Sequence, residues 1–210
     1  MKYSVLVVAA GKYAAKGLSY EKALASFNDS KSVLSQTISV FMRDQQCTQI
    51  VVVTNPTDMK VVVQSSESGK ILYVKGGATR QESVLIGLTA VAEDVVLIHD
   101  GVRPWLRQDY IDALLEKMQT ERAAVLAIRP VGGVHRVENG FLVSELMPDN
   151  IVLTQTPQAF HTSFIIKCYA KAVREGIQYL DDAQIVNAVC SEPEAVVTGD
   201  LRNARFILKD

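Results

Sequence analysis

Residues 5 to 22 read "VLVVAAGKYAAKGLSYEK", a continuous apolar run that turns at Gly11. A strand with one wet face alternates apolar and polar side chains; this run does not, so both of its faces must be covered. The first run spans residues 4 to 9, and similar runs recur at 50 to 54, 71 to 75, 94 to 98 and 123 to 128. Helical spacing fills the gaps: Val33, Leu34, Thr37, Ile38 and Phe41; Val84, Leu85, Leu88 and Val91; Tyr110, Ile111, Leu114, Leu115 and Met118. Thr79 and Glu82 have the spacing of a capping box, in which two orphan backbone donors are satisfied reciprocally. Strand and helix alternate, which predicts right-handed βαβ units. The expected fold class is α/β: a Rossmann-like, mainly parallel sheet with helices on both faces.

After Pro130 the rhythm changes. "VHRVENGFLVSEL" sets two β-prone runs around Asn139-Gly140, a strong two-residue hairpin signal. A hairpin inside an α/β chain is expected to protrude as an arm, with residues 131 to 153 as its span and a second subunit as the cover for its apolar side. A helix from about His161 to Glu175, closed by Gly176, follows, and a shorter one starts near Asp181-Asp182. "TQTPQAF", residues 154 to 160, gathers hydroxyl and amide groups just before the first of these helices, as a contact to a sugar or its phosphate would need, although an edge-strand turn fixed by Pro157 explains the same pattern; the end of the chain reads as one or two short strands.

The totals set the function class. A chain of 210 residues is long enough for one domain with its own core, and no linker or repeat divides it. With 48% hydrophobic residues, 21% charged residues and a net charge of -1, no basic surface for nucleic acid is expected. The opening "MKYSVLVVAAG" is too short to span a bilayer and lacks a cleavage region, so it reads as the first core strand and no membrane partner is expected. Cys47, Cys168 and Cys190 have neither metal-clip spacing nor that of a secreted disulfide framework, which fits a reducing cytoplasm.

In an open parallel sheet ligands bind beyond the carboxyl ends of the strands. There the runs deliver Ala10-Gly11, Thr54-Asn55, Gly76-Gly77, His99-Asp100 and Arg129. Two glycine turns, an acid and nearby bases suit a phosphorylated ligand with a divalent cation. The P-loop pattern is absent, since Gly11 and Gly17 are wrongly spaced and Leu18 follows, and no GxGxxG occurs. In "KGGATRQESVLIGL", residues 75 to 88, two glycines precede a capped helix that opens with Arg80 and Ser83; a tight turn with a surface helix explains the same pattern. In "LIHDGVRP", residues 97 to 104, Asp100 stands at a strand end beside Gly101; its plain structural use is to cap the turn and pair with Arg103. His99, His135 and His161 are dispersed, as ordinary structural histidines are.

In this order and at these intervals, "AAGK", "GGATRQESVLIGL", "HDGVRP" and "QTPQAF" resemble the 2-C-methyl-D-erythritol 4-phosphate cytidylyltransferases over nearly the whole chain. Ribitol 5-phosphate cytidylyltransferases share the plan. The resemblance implies a fold of the nucleotide-diphospho-sugar transferase type, with CTP over the strand ends, a polyol phosphate as acceptor, Mg2+ as cofactor and a homodimer joined through the arm. It assigns Ala9, Ala10, Gly11, Lys12, Gly76, Gly77, Arg80, Ser83 and Gly101 to the nucleotide. Lys22, Arg205 and Asp100 fall in the catalytic set, with Asp100 also at the cation. Arg103, Thr156 and Asp181 fall to the acceptor. Some positions depart from the family pattern: Tyr13 replaces a glycine, Ala15 an arginine and Glu21 a proline, while Arg205 replaces a lysine. A catalytically lapsed nucleotide-binding relative is the alternative raised by the altered first loop.

Overall fold

The apolar runs assemble side by side into one seven-stranded sheet. A computed structural model of the chain describes residues 1–10, 23–55 and 69–207. Strands β1 (Tyr3–Val8), β4 (Cys47–Thr54), β5 (Ile71–Lys75), β6 (Val95–Asp100), β7 (Ala123–Ile128), β10 (Leu153–His161) and β11 (Ala195–Thr198) take the order β11-β7-β10-β6-β1-β4-β5. All pairings are parallel except those of β10, which runs antiparallel between β6 and β7. A small hairpin, β2 (Ser26–Asn28) and β3 (Lys31–Ser32), precedes the first long helix.

Both faces of the sheet are covered, which is why its strands carry no alternation. Val5, Val7, Val52 and Leu97 pack under helices α1 (Val33–Arg43) and α3 (Gln108–Lys117), through Leu34, Ile38, Phe41, Ile111 and Leu114. Leu6, Val51, Val53, Val96 and Ile98 face the other way, under α2 (Arg80–Leu88) and α4 (Thr162–Glu175), against Val84, Leu88, Phe164, Ile165 and Tyr169. Local signals set the helix ends: Ser32 accepts the Ser35 amide at 3.1 Å, and Gly176 ends α4 in the left-handed conformation at φ 68°. The short α5 (Asp182–Ile185) has Asp181 as N-cap and runs into a π-turn, Val186–Cys190.

β8 (Val134–Glu138) and β9 (Phe141–Leu146) form the separate hairpin. Asn139 and Gly140 both have positive φ, as a two-residue turn matched to strand twist requires. Two sequence readings are corrected. "TQTPQAF" is not a turn but the interior of β10, and the shift of register between Thr154 and Gln158 keeps Pro157, which has no amide hydrogen, out of the ladder. Cys168 and Cys190 form a disulfide with Cα atoms 6.2 Å apart, because α4 and the π-turn bring residues 22 apart in sequence together; Cys47 is a buried free thiol. Among the described residues no helix is long and apolar enough to cross a membrane.

Candidate functional site

The carboxyl ends of β1, β5 and β6 meet at a backbone shelf. The Ala9 amide donates to Val53 O at 2.8 Å, that of Gly101 to Val8 O at 2.9 Å and that of Gly76 to Thr54 O at 2.9 Å. Contact is so close that a Cβ on Gly76 would stand 2.4 Å from Ala10 Cβ, and one on Gly101 3.1 Å from Ala9 Cβ. At Gly76 only glycine permits that approach, while at Gly101 a side chain would be tight. Ser83 is fully buried and its hydroxyl accepts the Gly77 amide at 3.1 Å, while Thr79 Oγ1 accepts the Glu82 amide and Glu82 Oε2 accepts that of Ala78. The capping box thus shapes the strand-to-helix turn, and Ala9, Ala10, Gly76, Gly77, Ser83 and Gly101 are brought together. Gly11, Lys12 and Lys22 lie outside the described residues.

Beside the shelf stands Asp100, buried at the end of β6 and facing arginines from three directions. Its Oδ2 accepts from Arg103 Nε at 3.3 Å and from Arg205 Nε and Nη2, both at 2.9 Å; Oδ1 lies 3.9 Å from Arg80 Nη2. Burial alone would push this carboxyl up. The guanidinium groups of Arg80, Arg205 and Arg103 outweigh it and hold Asp100 well below the usual carboxylate range. Arg205 is the outer member, its side chain 52% exposed. Arg103 is buried and donates to Asn203 O at 2.6 Å, so the loop after β6 and the segment near residue 205 are tied together.

Arg80 points into the protein more than sequence reading anticipates. Its Nη1 donates to Asp182 Oδ1 at 2.9 Å and its Nη2 to Asp182 Oδ2, and the Tyr169 hydroxyl donates to the same buried carboxylate. Burial would lower the Arg80 pKa, but Asp182 and then Asp100 raise it well above its ordinary value. Asp181 is equally engaged: it accepts from Thr154 Oγ1 at 2.7 Å and from Gln158 Nε2 and the Ala183 amide, both at 2.8 Å. Glu194 accepts from Asn187 Nδ2 at 2.7 Å, and burial together with the carboxylates of Asp181 and Asp182 pushes it up to about 8.

Thr156 sits behind Asp100. The Asp100 amide donates to Thr156 Oγ1 at 3.0 Å, and that hydroxyl is 3.0 Å from His99 Nδ1. His99 Nε2 lies 3.3 Å from Arg103 O, and a carbonyl only accepts, so the network assigns the hydrogen to Nε2. Nδ1 is then the acceptor and Thr156 donates to it. Burial lowers His99 to about 4, against the opposing effect of Asp100, so the ring is neutral near pH 7. Sequence reading missed His99, Asp182, Tyr169, Asn203 and Glu194 as members of this network. The only available signals were the HD and DD pairs, which show acids and bases but not their partners.

Among the described residues no cluster of three or more His, Cys, Asp or Glu could hold a metal ion. Of the carboxylates near the shelf, Glu82 is bonded to the Ala78 amide and Asp100 faces three arginines, so a divalent cation there would be carried mainly by ligand phosphates.

The family model described as 2-C-methyl-D-erythritol 4-phosphate cytidylyltransferase matches residues 3–209. The enzyme of that name from Halalkalibacterium halodurans is 37% identical over 214 residues, covering 98% of this chain and 92% of the relative. That from Geobacillus kaustophilus is 32% identical over 211 residues, with the same coverage. The solved 4-diphosphocytidyl-2C-methyl-D-erythritol synthase of Anaerococcus prevotii is similar with a TM-score of 0.87 at 25% identity, covering 98% of this chain and 90% of that one. For the Francisella tularensis 2-C-methyl-D-erythritol 4-phosphate cytidylyltransferase the TM-score is 0.84 at 25% identity, with 99% and 95% covered.

Proposed function

Because the chain belongs to the 2-C-methyl-D-erythritol 4-phosphate cytidylyltransferase family and is a nucleotidyltransferase, we propose that it transfers CMP from CTP to 2-C-methyl-D-erythritol 4-phosphate in isoprenoid precursor synthesis. An acceptor phosphate oxygen attacks the α-phosphorus, the bond from that phosphorus to the oxygen bridging to the β-phosphorus breaks, and pyrophosphate leaves. The observation that carries this reading is Asp100 at a strand end, ringed by Arg80, Arg103 and Arg205 next to a glycine shelf. Such chemistry depends on positioning and on charge placed around phosphorus.

In this reading Ala9, Ala10, Gly11, Lys12 and Gly101 bring backbone to the triphosphate, and Gly76, Gly77 and Ser83 form the seat of base and ribose. Arg80 supports that seat from behind through Asp182. Lys22 and Arg205 neutralise phosphate charge. Arg205, on the outer side of Asp100, can exchange part of its carboxylate contact for an incoming phosphate. Arg103, Thr156 and Asp181 border the acceptor, and their own hydrogen bonds make them a fixed wall. Mg2+ would be held by Asp100 with the triphosphate and supplies further charge neutralisation when bound.

The homodimer belongs to the same proposal. Phe141 and Leu142, consecutive in β9 and so on opposite faces of the arm, are 73% and 69% exposed, and Val137 pairs with Leu142. An arm that is apolar on both faces is covered in use, here by a second copy of the chain. A supply of CTP places the reaction in the cytoplasm, without nucleic acid or membrane as partner.

Pyrophosphate release from CTP and Mg2+ tests the proposal, with methylerythritol 4-phosphate and ribitol 5-phosphate supplied separately. Release with the first acceptor and its dependence on metal are expected. Release with ribitol phosphate alone would move the assignment to the ribitol class. CTP binding without release from any polyol phosphate would identify a lapsed enzyme.

A further inference from the structure

Arg205 lies in a stretch that no strand holds. Two anchors flank it. On one side is Asn203, buried, with Nδ2 donating to Thr156 O at 2.9 Å and its carbonyl receiving Arg103. On the other is Phe206, whose amide donates to Val102 O at 2.7 Å. The Phe206 ring packs 6.4 Å from that of Phe27 and 6.1 Å from that of Trp105, and those two are 5.9 Å apart at 61°. Such offset and edge-on pairs attract beyond the area they bury.

Each ring belongs to a segment that carries a residue of the proposed site. Phe206 follows Arg205 directly, Trp105 follows Arg103 by two residues, and Phe27 follows Lys22 by five. Trp105 remains 41% exposed, so the cluster is a surface joint and not an extension of the core.

We propose that the Phe27–Trp105–Phe206 cluster is a clamp, and that Phe206 is a positioning residue that sets Arg205 for the acceptor phosphate. The proposal rests on the cytidylyltransferase reading. Without the Phe206 ring, Arg205 keeps the Asn203 anchor and the bond from the Phe206 amide to Val102 O, but loses the ring packing that braces its other side, and its guanidinium samples positions away from Asp100. The cost falls on recognition of the phosphate that Arg205 meets, not on CTP bound along the shelf.

Trp105 is the sole tryptophan of the chain and reports the clamp directly. In Phe206→Ala, Trp105 emission and its quenching by iodide should both change. The KM for methylerythritol phosphate should rise about tenfold, the scale expected when one charge-assisted contact is loosened, while the KM for CTP stays within about twofold. Phe206→Tyr should restore both readouts. An unchanged emission, or changed emission with an unchanged acceptor KM, overturns the proposal. Titration with inorganic phosphate at low salt gives an arm that needs no turnover. Saturable change of Trp105 emission in the wild type, weakened about tenfold in Phe206→Ala, supports the clamp even if no polyol phosphate is turned over; a wild-type response that Phe206→Ala leaves unaltered, or no response at all, overturns it.

Discussion

Asp182→Asn keeps the shape of a side chain and removes the charge with which Arg80 is paired. Asp182 is fully buried, accepts both Arg80 nitrogens and also accepts the Tyr169 hydroxyl. After the substitution, the carboxylate left for Arg80 is Asp100 at 3.9 Å, which already receives Arg103 and Arg205. Removing one partner of a buried ion pair costs about 3–5 kcal/mol, because the other charge stays desolvated. For a chain of this length each kcal/mol lowers Tm by about 2–4 °C, so a fall of about 6–20 °C is expected. Thermal unfolding followed by far-UV circular dichroism measures the fall in Tm, and urea unfolding the free energy. The double variant Arg80→Met with Asp182→Leu removes both charges of the pair and should recover part of the loss, less than all of it because the Tyr169 hydroxyl loses its acceptor and Asp100 loses Arg80. A single variant within about 1 kcal/mol of wild type, or a double variant no better than the single, would refute the claim that the pair carries this stability.

The fall of His99 from an ordinary 6.5 to about 4 predicts a pH dependence with a definite sign. The fold prefers the neutral ring, so this contribution is complete above about pH 6.5 and is lost as pH falls toward 4, by about 3 kcal/mol in all. Glu194, raised to about 8, works the opposite way and loses stability as pH rises above its ordinary 4.5. The His99 effect is therefore read as the difference between wild type and His99→Gln across pH 4 to 7, and a flat difference would refute it. Arg205→Ala should lower turnover about a hundredfold or more and should destabilise the fold less than Asp100→Asn does, because Asp100 keeps Arg103 and Arg80. Asp100→Asn should lower both turnover and stability; equal destabilisation by the two variants would contradict the assigned division. Phe141→Glu on the arm should convert a dimer to a monomer in light scattering, and a wild type that is already monomeric ends the dimer proposal.

The parallel strands were legible because their signal is simple: Ile71–Lys75 and Ala123–Ile128 begin and end where their apolar runs do. Thr79 and Glu82 marked the start of α2, and Asn139-Gly140 the hairpin, through side chains and φ values that act within a few residues. β10 was not legible. Its center, Gln155 to Gln158, is polar because those side chains bond to Asp200, His99, Asn203 and Asp181, partners 23 to 57 residues away. Polarity that looks like solvent exposure in one dimension is satisfied by remote groups in three. The Arg80–Asp182 pair is hidden for the same reason, with 102 residues between its members.

That distribution also bears on what motif retention means. Ser83, Asp100, Arg103 and Thr156 belong to the stretches that resemble the family, and all are buried and bonded to one another or to the backbone. Selection for folding alone would keep them, because each loss leaves a buried charge or donor without a partner. Arg205 is different: its side chain is half exposed and reaches Asp100 from the solvent side. Its contact with Asp100 has a structural use as well, being shorter at 2.9 Å than those of Arg103 and Arg80 at 3.3 and 3.9 Å. In the proposed reaction Arg205 is the member of this set exposed enough to meet a phosphate as well as Asp100.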